Sequence, residues 1–374
     1  MTKSTVRTGV LRLVEAKSLA EWAGQWDGLV AAMPVPSPFL RSWWLQILAG
    51  NSALFLLVLD GETLLGGLPL RAGRLAGVPH YRFCGSGTLC PDHLDVVTAP
   101  GRSDEVTAML ASWVRRPGAR VLDLAGVVEA SALASWLPHS HAAPLDVAPY
   151  QPIQNGPVGY LAARPRSFRK TVRRARNRFA EADACIQHVS EANLDRALDD
   201  FAALHAARGD REGLLAELAL LRAALAAGVR AGEVWVDVLA TPTRTLAVSI
   251  AFAACGRVSL YQVARTTDRD FDNASTLLNL ANVERAAAAG FVEVDLLRGS
   301  EEFKRYYAEH VRHLYQVSAA HGGAGVAVLE ALLLVRRLRG VAGRLRRVTV
   351  RARGRRRDQR AVGLSDLNGR RSAE

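Results

Sequence analysis

Between Tyr261 and Tyr307 the string YQVARTTDRDFDNASTLLNLANVERAAAAGFVEVDLLRGSEEFKRYY crowds ionisable side chains just past what reads as a strand, Phe291–Leu297. Within that strand Glu293 and Asp295 point to one face, about 7 Å apart. Asp295 falls at the C-terminal end, where α/β sheets hold ligands, so its carboxylate is a candidate catalytic group. It fits equally a salt bridge to Arg298 or a cap. Arg298-Gly299 then turns the chain into a predicted helix capped by Ser300, with Glu301 and Glu302 in its first turn. Lys304 and Tyr307 stand one turn apart on that helix. Arg298 and Lys304 are candidates for binding an anionic acceptor, and a solvent-facing lysine is the plainer alternative. Tyr306 and Tyr307 are adjacent, so only one is expected to face a cleft. Together these side chains could supply a general base, hydrogen-bond donors for a developing negative charge and a general acid.

Two further groups extend it. A helix opening at Asp272-Asn273-Ala274-Ser275 and closing at Gly290 directs first-turn amides and partial positive charge at one spot, which suits a phosphate. Asn273, Ser275 and Thr276 are the residues placed there. Upstream, Leu194, Leu198, Phe201 and His205 recur at helical spacing, so His205 continues an apolar stripe. A histidine there is either a satisfied core residue or, as neutral imidazole, a base near pH 7.

The elements that must position these groups come from periodicity. Strand, helix and strand over Tyr261–Leu297 have the length of a βαβ crossover, about 30 residues. Before it, Glu233–Leu239, Leu246–Phe252 and Val258–Val263 read as strands, the last two joined at Cys255-Gly256; helices are expected over Ala192–Arg208 and Arg211–Ala227. The N-terminal part repeats the order. A capping box at Ser18–Glu21 opens a helix, a second helix covers Arg41–Ala49, and Asp60-Gly61 joins the strands Leu54–Leu59 and Thr63–Leu70. A Gly- and His-rich loop spans Gly77–Leu94, followed by a helix over Ser103–Val114 and a strand over Val121–Leu124. Six of the fifteen prolines fall between Pro138 and Pro165, which marks a domain junction rather than core. After it, Arg164–Arg178 holds Arg164, Arg166, Arg169, Lys170, Arg173, Arg174, Arg176 and Arg178 and no acid, and Phe168, Val172, Ala175 and Phe179 form the apolar side of a helix whose outer face is cationic. The cationic face is either a solvated surface or one for anionic donors and acceptors. A strand over Val311–Val317 and a basic helix from Val326 to about Arg347 complete the body, with a disordered Arg-rich tail beyond.

A length of 374 residues leads to an expectation of two domains. The net charge of +12 is local: residues 336–374 hold 14 Arg against Asp358, Asp366 and Glu374, which leaves about one positive charge for the rest. Cys84, Cys90, Cys185 and Cys255 lack metal-ligand spacing and read as thiols of a reducing cytoplasm. The N-terminus lacks the apolar run of a signal peptide, and the longest apolar stretch, Ala324–Val335, is about half a membrane span and contains Glu330, so a cytoplasmic location is expected, with peripheral attachment at the inner membrane face through the tail.

Several strings in order resemble a known family. They are Ser37-Pro-Phe-Leu with Trp43-Trp44; Asp92-His-Leu-Asp95; Gly159-Tyr-Leu with the basic helix; Leu204-His-Ala-Ala-Arg208; and Ala289-Gly-Phe-Val-Glu-Val-Asp-Leu-Leu-Arg-Gly299 with Phe303-Lys304. Over roughly residues 11–320 the chain resembles the acetyltransferase domain of CelD/BcsL-type proteins, linked to cellulose and exopolysaccharide biosynthesis. That family lies in the GNAT superfamily and is similar to Fem-type aminoacyltransferases. The resemblance implies a mixed α/β fold of two GNAT-like halves, residues 1–150 and 151–320, followed by the basic segment 321–374. It implies acetyl-CoA or another acyl-CoA as donor, lying where Val258–Val263 and Phe291–Leu297 splay apart, and no metal. It implies a saccharide or envelope-precursor acceptor, with His205, Arg208, Arg298 and Lys304 around it and a tyrosine such as Tyr307 protonating the departing thiolate. The superfamily's glycine-rich pyrophosphate loop is replaced by Arg265–Ser275, which has no glycine and carries Asp270 and Asp272. Fem-like transfer from aminoacyl-tRNA, and non-catalytic binding of anionic membrane or nucleic acid by the tail, remain the alternatives; the oligomeric state is left open.

Overall fold

A computed structural model describes residues 11–153 and 156–339. The chain opens with β1 (Leu11–Ala16), helices α1 (Ala23–Ala31) and α2 (Ser42–Ala49), and strands β2 (Ala53–Asp60), β3 (Thr63–Leu75) and β4 (Val78–Phe83). It continues through β5 (Val97–Thr98), α3 (Ser103–Val114), β6 (Arg120–Val128), α4 (Leu133–Trp136) and β7 (His141–Pro152). The second half begins with α5 (Gly156–Ala162), α6 (Arg166–Glu181), β8 (Cys185–His188), α7 (Leu194–Arg208), α8 (Glu212–Ala216) and α9 (Leu218–Arg230). Strands β9 (Val234–Ala240), β10 (Thr245–Ala254) and β11 (Arg257–Arg265), helix α10 (Ala274–Ala288), and strands β12 (Glu293–Asp295) and β13 (His310–His321) come next. A last helix, α11, occupies 323–339.

The described strands form one mixed sheet in the order β1-β2-β3-β4-β6-β13-β7-β12-β11-β10-β9-β8, with β5 beside β3. Each half runs the same course. An edge strand pairs antiparallel with the first of a three-strand meander; a helix then returns the chain to a strand parallel to the meander's last member, β6 beside β4 and β12 beside β11. The final strands are exchanged. β7 from the first half pairs with β12, β13 from the second pairs with β6, and β7 and β13 pair with each other at the centre. A shared order of elements, with no identity of residues, is therefore present in the sheet itself.

The proline-rich stretch read as a domain junction folds in part as strand β7, most of it only partly buried. Pro144, Pro149 and Pro152 lie within β7, opposite Tyr315, Val311 and Glu293. The strand lies across the expected boundary at residue 150 and joins the halves. The loop expected over Gly77–Leu94 contains β4, and the helix expected over Arg211–Ala227 is broken into α8 and α9. The helix expected after Ser300 is a short 3-10 turn, Glu302–Tyr306, with Glu301 at its N-cap. The basic C-terminal helix is present to residue 339; its expected continuation to Arg347 and the tail lie outside the described residues.

The two parallel pairs differ at the point where their strands part. In the first half β4 and β6 are in register only at His80–Val121 and Tyr81–Leu122. Past that point the chain fills its own gap. Leu94 bridges Val127 in parallel, its N–H donating to the Gly126 carbonyl at 2.8 Å. Asp92, His93 and Leu94 are buried there. Gly126 makes the approach possible: its φ is +80°, and a Cβ would lie 2.8 Å from the Pro91 carbonyl oxygen. In the second half the corresponding gap stays open.

Gly126→Ala is expected to combine left-handed backbone strain with a clash against the inserted segment, costing about 1–3 kcal/mol. Chemical denaturation of the variant checks this, and an unchanged midpoint would contradict the close packing.

Candidate functional site

The open gap arises because β11 and β12 share three paired positions, Arg257–Glu293, Val258–Val294 and Ser259–Asp295, and then part. β11 runs on to Arg265, whereas the chain after β12 swings away at Leu297, whose φ is +56°. A cleft of about 990 Å³ occupies the space, walled by Leu260–Val263 on one side and Leu296–Gly299 on the other. α10 and α6 contribute side chains from the second half, and Thr88, Cys90 and Asp92 reach in from the first.

The turn after β12 is held at every polar backbone group of Leu297 and Arg298. The Leu297 N–H donates to Asp295 Oδ1 at 2.7 Å, and the Arg298 N–H to Asp92 Oδ2 at 2.7 Å. Lys304 Nζ donates to the Leu297 and Arg298 carbonyls at 3.1 and 2.7 Å and pairs with Glu301 at 3.0 Å. Lys304 is only 6% exposed. An ammonium has three donors, so the one expected to bind an acceptor is a clasp on the turn instead.

Asp295 corrects a second expectation. It does not line the cleft but lies buried beneath the turn. His93 sits between two carboxylates, Nδ1 3.0 Å from Asp92 Oδ1 and Nε2 3.4 Å from Asp295 Oδ2, the latter an ion-pair contact rather than an aligned hydrogen bond. Arg312 Nη1 lies 3.8 Å from Asp295, and Arg312 and Arg257 both pair with Glu293. Glu293 and Asp295 thus share a face, as their spacing requires, but that face is an internal ionic seam. Burial opposes a charge on His93, yet the Asp295 and Asp92 carboxylates outweigh it and raise the imidazole above its ordinary value. Burial likewise raises Asp295, aided by the Asp92 charge and opposed by His93, Arg257 and the Leu297 N–H.

His205 does line the cleft. Its stripe is core: Leu194, Leu198 and Phe201 are buried, and His205 is 2% exposed, with the Phe201 ring edge-on at 4.6 Å. α7 ends at Gly209 in a left-handed cap, which turns Asp210 back beneath the ring. Asp210 Oδ1 then meets His205 Nδ1 at 2.6 Å, and Oδ2 meets Arg208 at 2.9 Å. Burial works against the Asp210 charge, but the bond from His205 and the Arg208 charge hold the carboxyl below its ordinary range. With Nδ1 committed, Nε2 is buried and has no partner among the described residues. Asp210 escapes a periodicity argument; the signal for it is the Arg-Gly-Asp string that ends the helix five residues after a histidine.

On the opposite side Asn273, Ser275 and Thr276 line the cleft at the start of α10. Asn273 adopts φ +78° and no side chain caps the helix, which leaves its first-turn amides to a ligand. Asp270 and Asp272 do not line the cleft; Asp268 pairs with Arg244, and Asp272 lies 3.9 Å from Arg265. Tyr307 is buried, its hydroxyl donating to the Thr276 carbonyl at 3.4 Å and its ring edge-on to Phe168. Burial pushes its phenol up to about 12, against the pull of hydrogen bonds to Thr276 and Asn279. Tyr306 is partly exposed and stacks on Phe168, and both tyrosines contribute to the wall, where only one was expected. Arg298 also lines it: its Nη2 donates to the Pro91 carbonyl while Nε is buried without a partner. Of the expected site residues the cleft therefore brings together His205, Arg208, Asn273, Ser275, Thr276, Arg298, Lys304 and Tyr307, and leaves Asp295 below.

A family model of the acetyltransferase (GNAT) domain covers residues 166–305, from the first residue of α6 to the 3-10 turn. Residues 166–305 match a GNAT acetyltransferase domain. The stretch contains β11, α10, β12 and the His205–Asp210 pair. Among solved structures, FemX is similar at 12% identity, covering 78% of this chain and 95% of its own, with a TM-score of 0.60. A conserved protein of unknown function from Bacteroides thetaiotaomicron VPI-5482 is similar at 12% identity, covering 82% and 100%, with a TM-score of 0.57. At such identity the likeness is one of fold. No curated protein matches the sequence.

His93→Gln is expected to remove the imidazole that bridges two buried acidic side chains, at a cost of about 3–5 kcal/mol. The sign with pH is set by the two raised groups. The stability His93 contributes is fully present below about pH 6.5 and is lost as pH rises through its higher folded value. Asp295 acts in the same direction from a lower pH, about 4 upward, because folding resists its ionisation. The melting temperature of the native chain should therefore fall as pH rises above about 6.5, and that dependence should flatten in His93→Gln. Scanning calorimetry across the neutral range checks both.

Proposed function

We propose that the chain is an acyl-CoA-dependent acyltransferase that moves an acyl group to an amine or hydroxyl of a saccharide or envelope precursor, as the CelD/BcsL resemblance implies. The observation that carries the reading is the pairing, across one cleft, of an oriented imidazole with a free Nε2 and an uncapped helix start. The donor's phosphates would lie on the first-turn amides of α10 beside Asn273, Ser275 and Thr276. Its pantetheine arm would run along the gap between β11 and β12.

His205 acts as base in this reading. Asp210 accepts from Nδ1–H, which fixes the tautomer, so that Nε2 takes the proton from the attacking group as the new bond to the acyl carbon forms. Asp210, held ionised by its neighbours, stabilises the resulting imidazolium. Tyr307, protonated across the physiological range, supplies a proton to the sulfur as the thioester bond breaks.

His205→Asn is expected to lower kcat by about a hundredfold or more with little change in donor affinity. Asp210→Asn should lower it by less and shift the pH–rate profile, which a packing role for the pair would not do. Label transfer from acetyl-CoA to saccharide precursors, monitored across pH, is the measurement. Donor binding is tested separately by calorimetry: Ser275→Glu places a carboxylate at the helix start and should weaken acetyl-CoA and CoA at least about tenfold. No binding of either by the native chain at millimolar concentration would sink the reading.

A second reading, Fem-like transfer from aminoacyl-tRNA, is favoured by the outer face of α6. Arg166, Arg169, Lys170, Arg173 and Arg174 are exposed there, and Ser167 and Thr171 of the same helix line the cleft. Salt-dependent binding that prefers charged to uncharged tRNA would support it over acyl-CoA.

A further inference from the structure

α11 has two apolar faces and the sheet uses one of them. Leu329 and Leu333 pack on Val78, Val121 and Ala320. Arg336 pins that face by a two-point pair with Asp123, at 2.8 and 2.6 Å. The opposite face carries Ala327, Ala331, Leu334 and Leu338 at i, i+4, i+7 and i+11, with Leu334 and Leu338 exposed and Val335 alongside. Leu334 is 56% and Leu338 61% exposed, values out of place for leucines on a helix held this firmly. Glu330 precedes the stripe's last two turns, whereas from residue 336 to 357 the sequence has 11 Arg and no acid.

We infer that this outer face of α11 is a docking surface for an anionic lipid bilayer, on which the helix lies flat with Leu334, Val335 and Leu338 inserted. Charge complementarity and apolar exposure select that occupant together. An arginine-rich segment by itself fits any polyanion, but nucleic acid offers no apolar layer to receive a leucine stripe. The interfacial region of a membrane offers both, with headgroup phosphates for the Arg and acyl chains for the Leu. Flat insertion also suits the dimensions. The helix is about 25 Å long, and no helix of the described residues is long and apolar enough to cross a membrane.

Cosedimentation of the full chain with vesicles tests this. Binding is expected to phosphatidylcholine vesicles containing phosphatidylglycerol, and much less to phosphatidylcholine alone. A Leu334→Glu/Leu338→Glu variant should bind at least about tenfold more weakly with its thermal unfolding unchanged, since both positions face solvent. Leu338→Trp provides a second readout, with blue-shifted emission on vesicle addition. Equal binding by the double Glu variant would show the arginines acting alone and overturn the insertion. So would an unshifted tryptophan in vesicle-bound protein, absence of vesicle binding, or a native dimer that the Glu variant converts to monomer, which would make the stripe a contact between copies.

Discussion

The geometry of the cleft depends on one buried imidazole held between two acidic side chains. His93 joins Asp92, from the first half, to Asp295, from the second, and each carboxylate also takes a backbone N–H of the turn that closes β12. Without a proton on the imidazole between them, two ionised carboxylates in a buried seam would repel, and the turn would lose its anchors on both sides. Leu297 keeps its left-handed backbone because that lattice, with the Lys304 clasp beneath its carbonyls, leaves it no relaxed alternative. The cleft wall is thus built by electrostatics in the interior, where His93 and Asp295 support the groups facing substrate space without lining the cleft themselves.

This seam also explains why two halves of like topology end with one open cleft. Each half brings a pair of parallel strands together and lets them part. In the first, the segment around Asp92–Leu94 occupies the gap and reaches across to brace the second. The exchange of β7 and β13 places the two parallel pairs near the middle of one sheet, so that bracing needs only a short loop. One half serves as scaffold for the other.

The division of labour among titratable groups is governed by burial and partners more than by residue type. Asp295, Glu293 and Asp210 are all carboxylates near the cleft, yet two are locked among arginines and histidine below the surface, and one orients an imidazole at the cleft wall. Lys304 and Arg298 are neighbouring cations on one turn. One has every donor engaged by protein, and the other keeps Nε unpaired beside the cleft.

Much of this was legible in the residues because it is set over short distances. Alternation and helical spacing placed the β2–β3 hairpin, α3, α6 with its buried Phe168–Phe179 face, and the crossover from β11 through α10 to β12. The same local periods put His205 on the inner side of α7 and Ser275 at a helix start. What the sequence could not decide is which of its ionisable groups meet. Asp92 bonds a backbone 206 positions away, and that pairing drew Asp295 into the interior, away from the groups free to act. Lys304 was lost to the carbonyls of a turn whose path only the seam determines, and Asp210 gained its place from a left-handed residue that folds the chain back. Local patterns choose the elements; desolvation and long-range pairing, which exist only once those elements have packed, choose the chemistry left at the cleft.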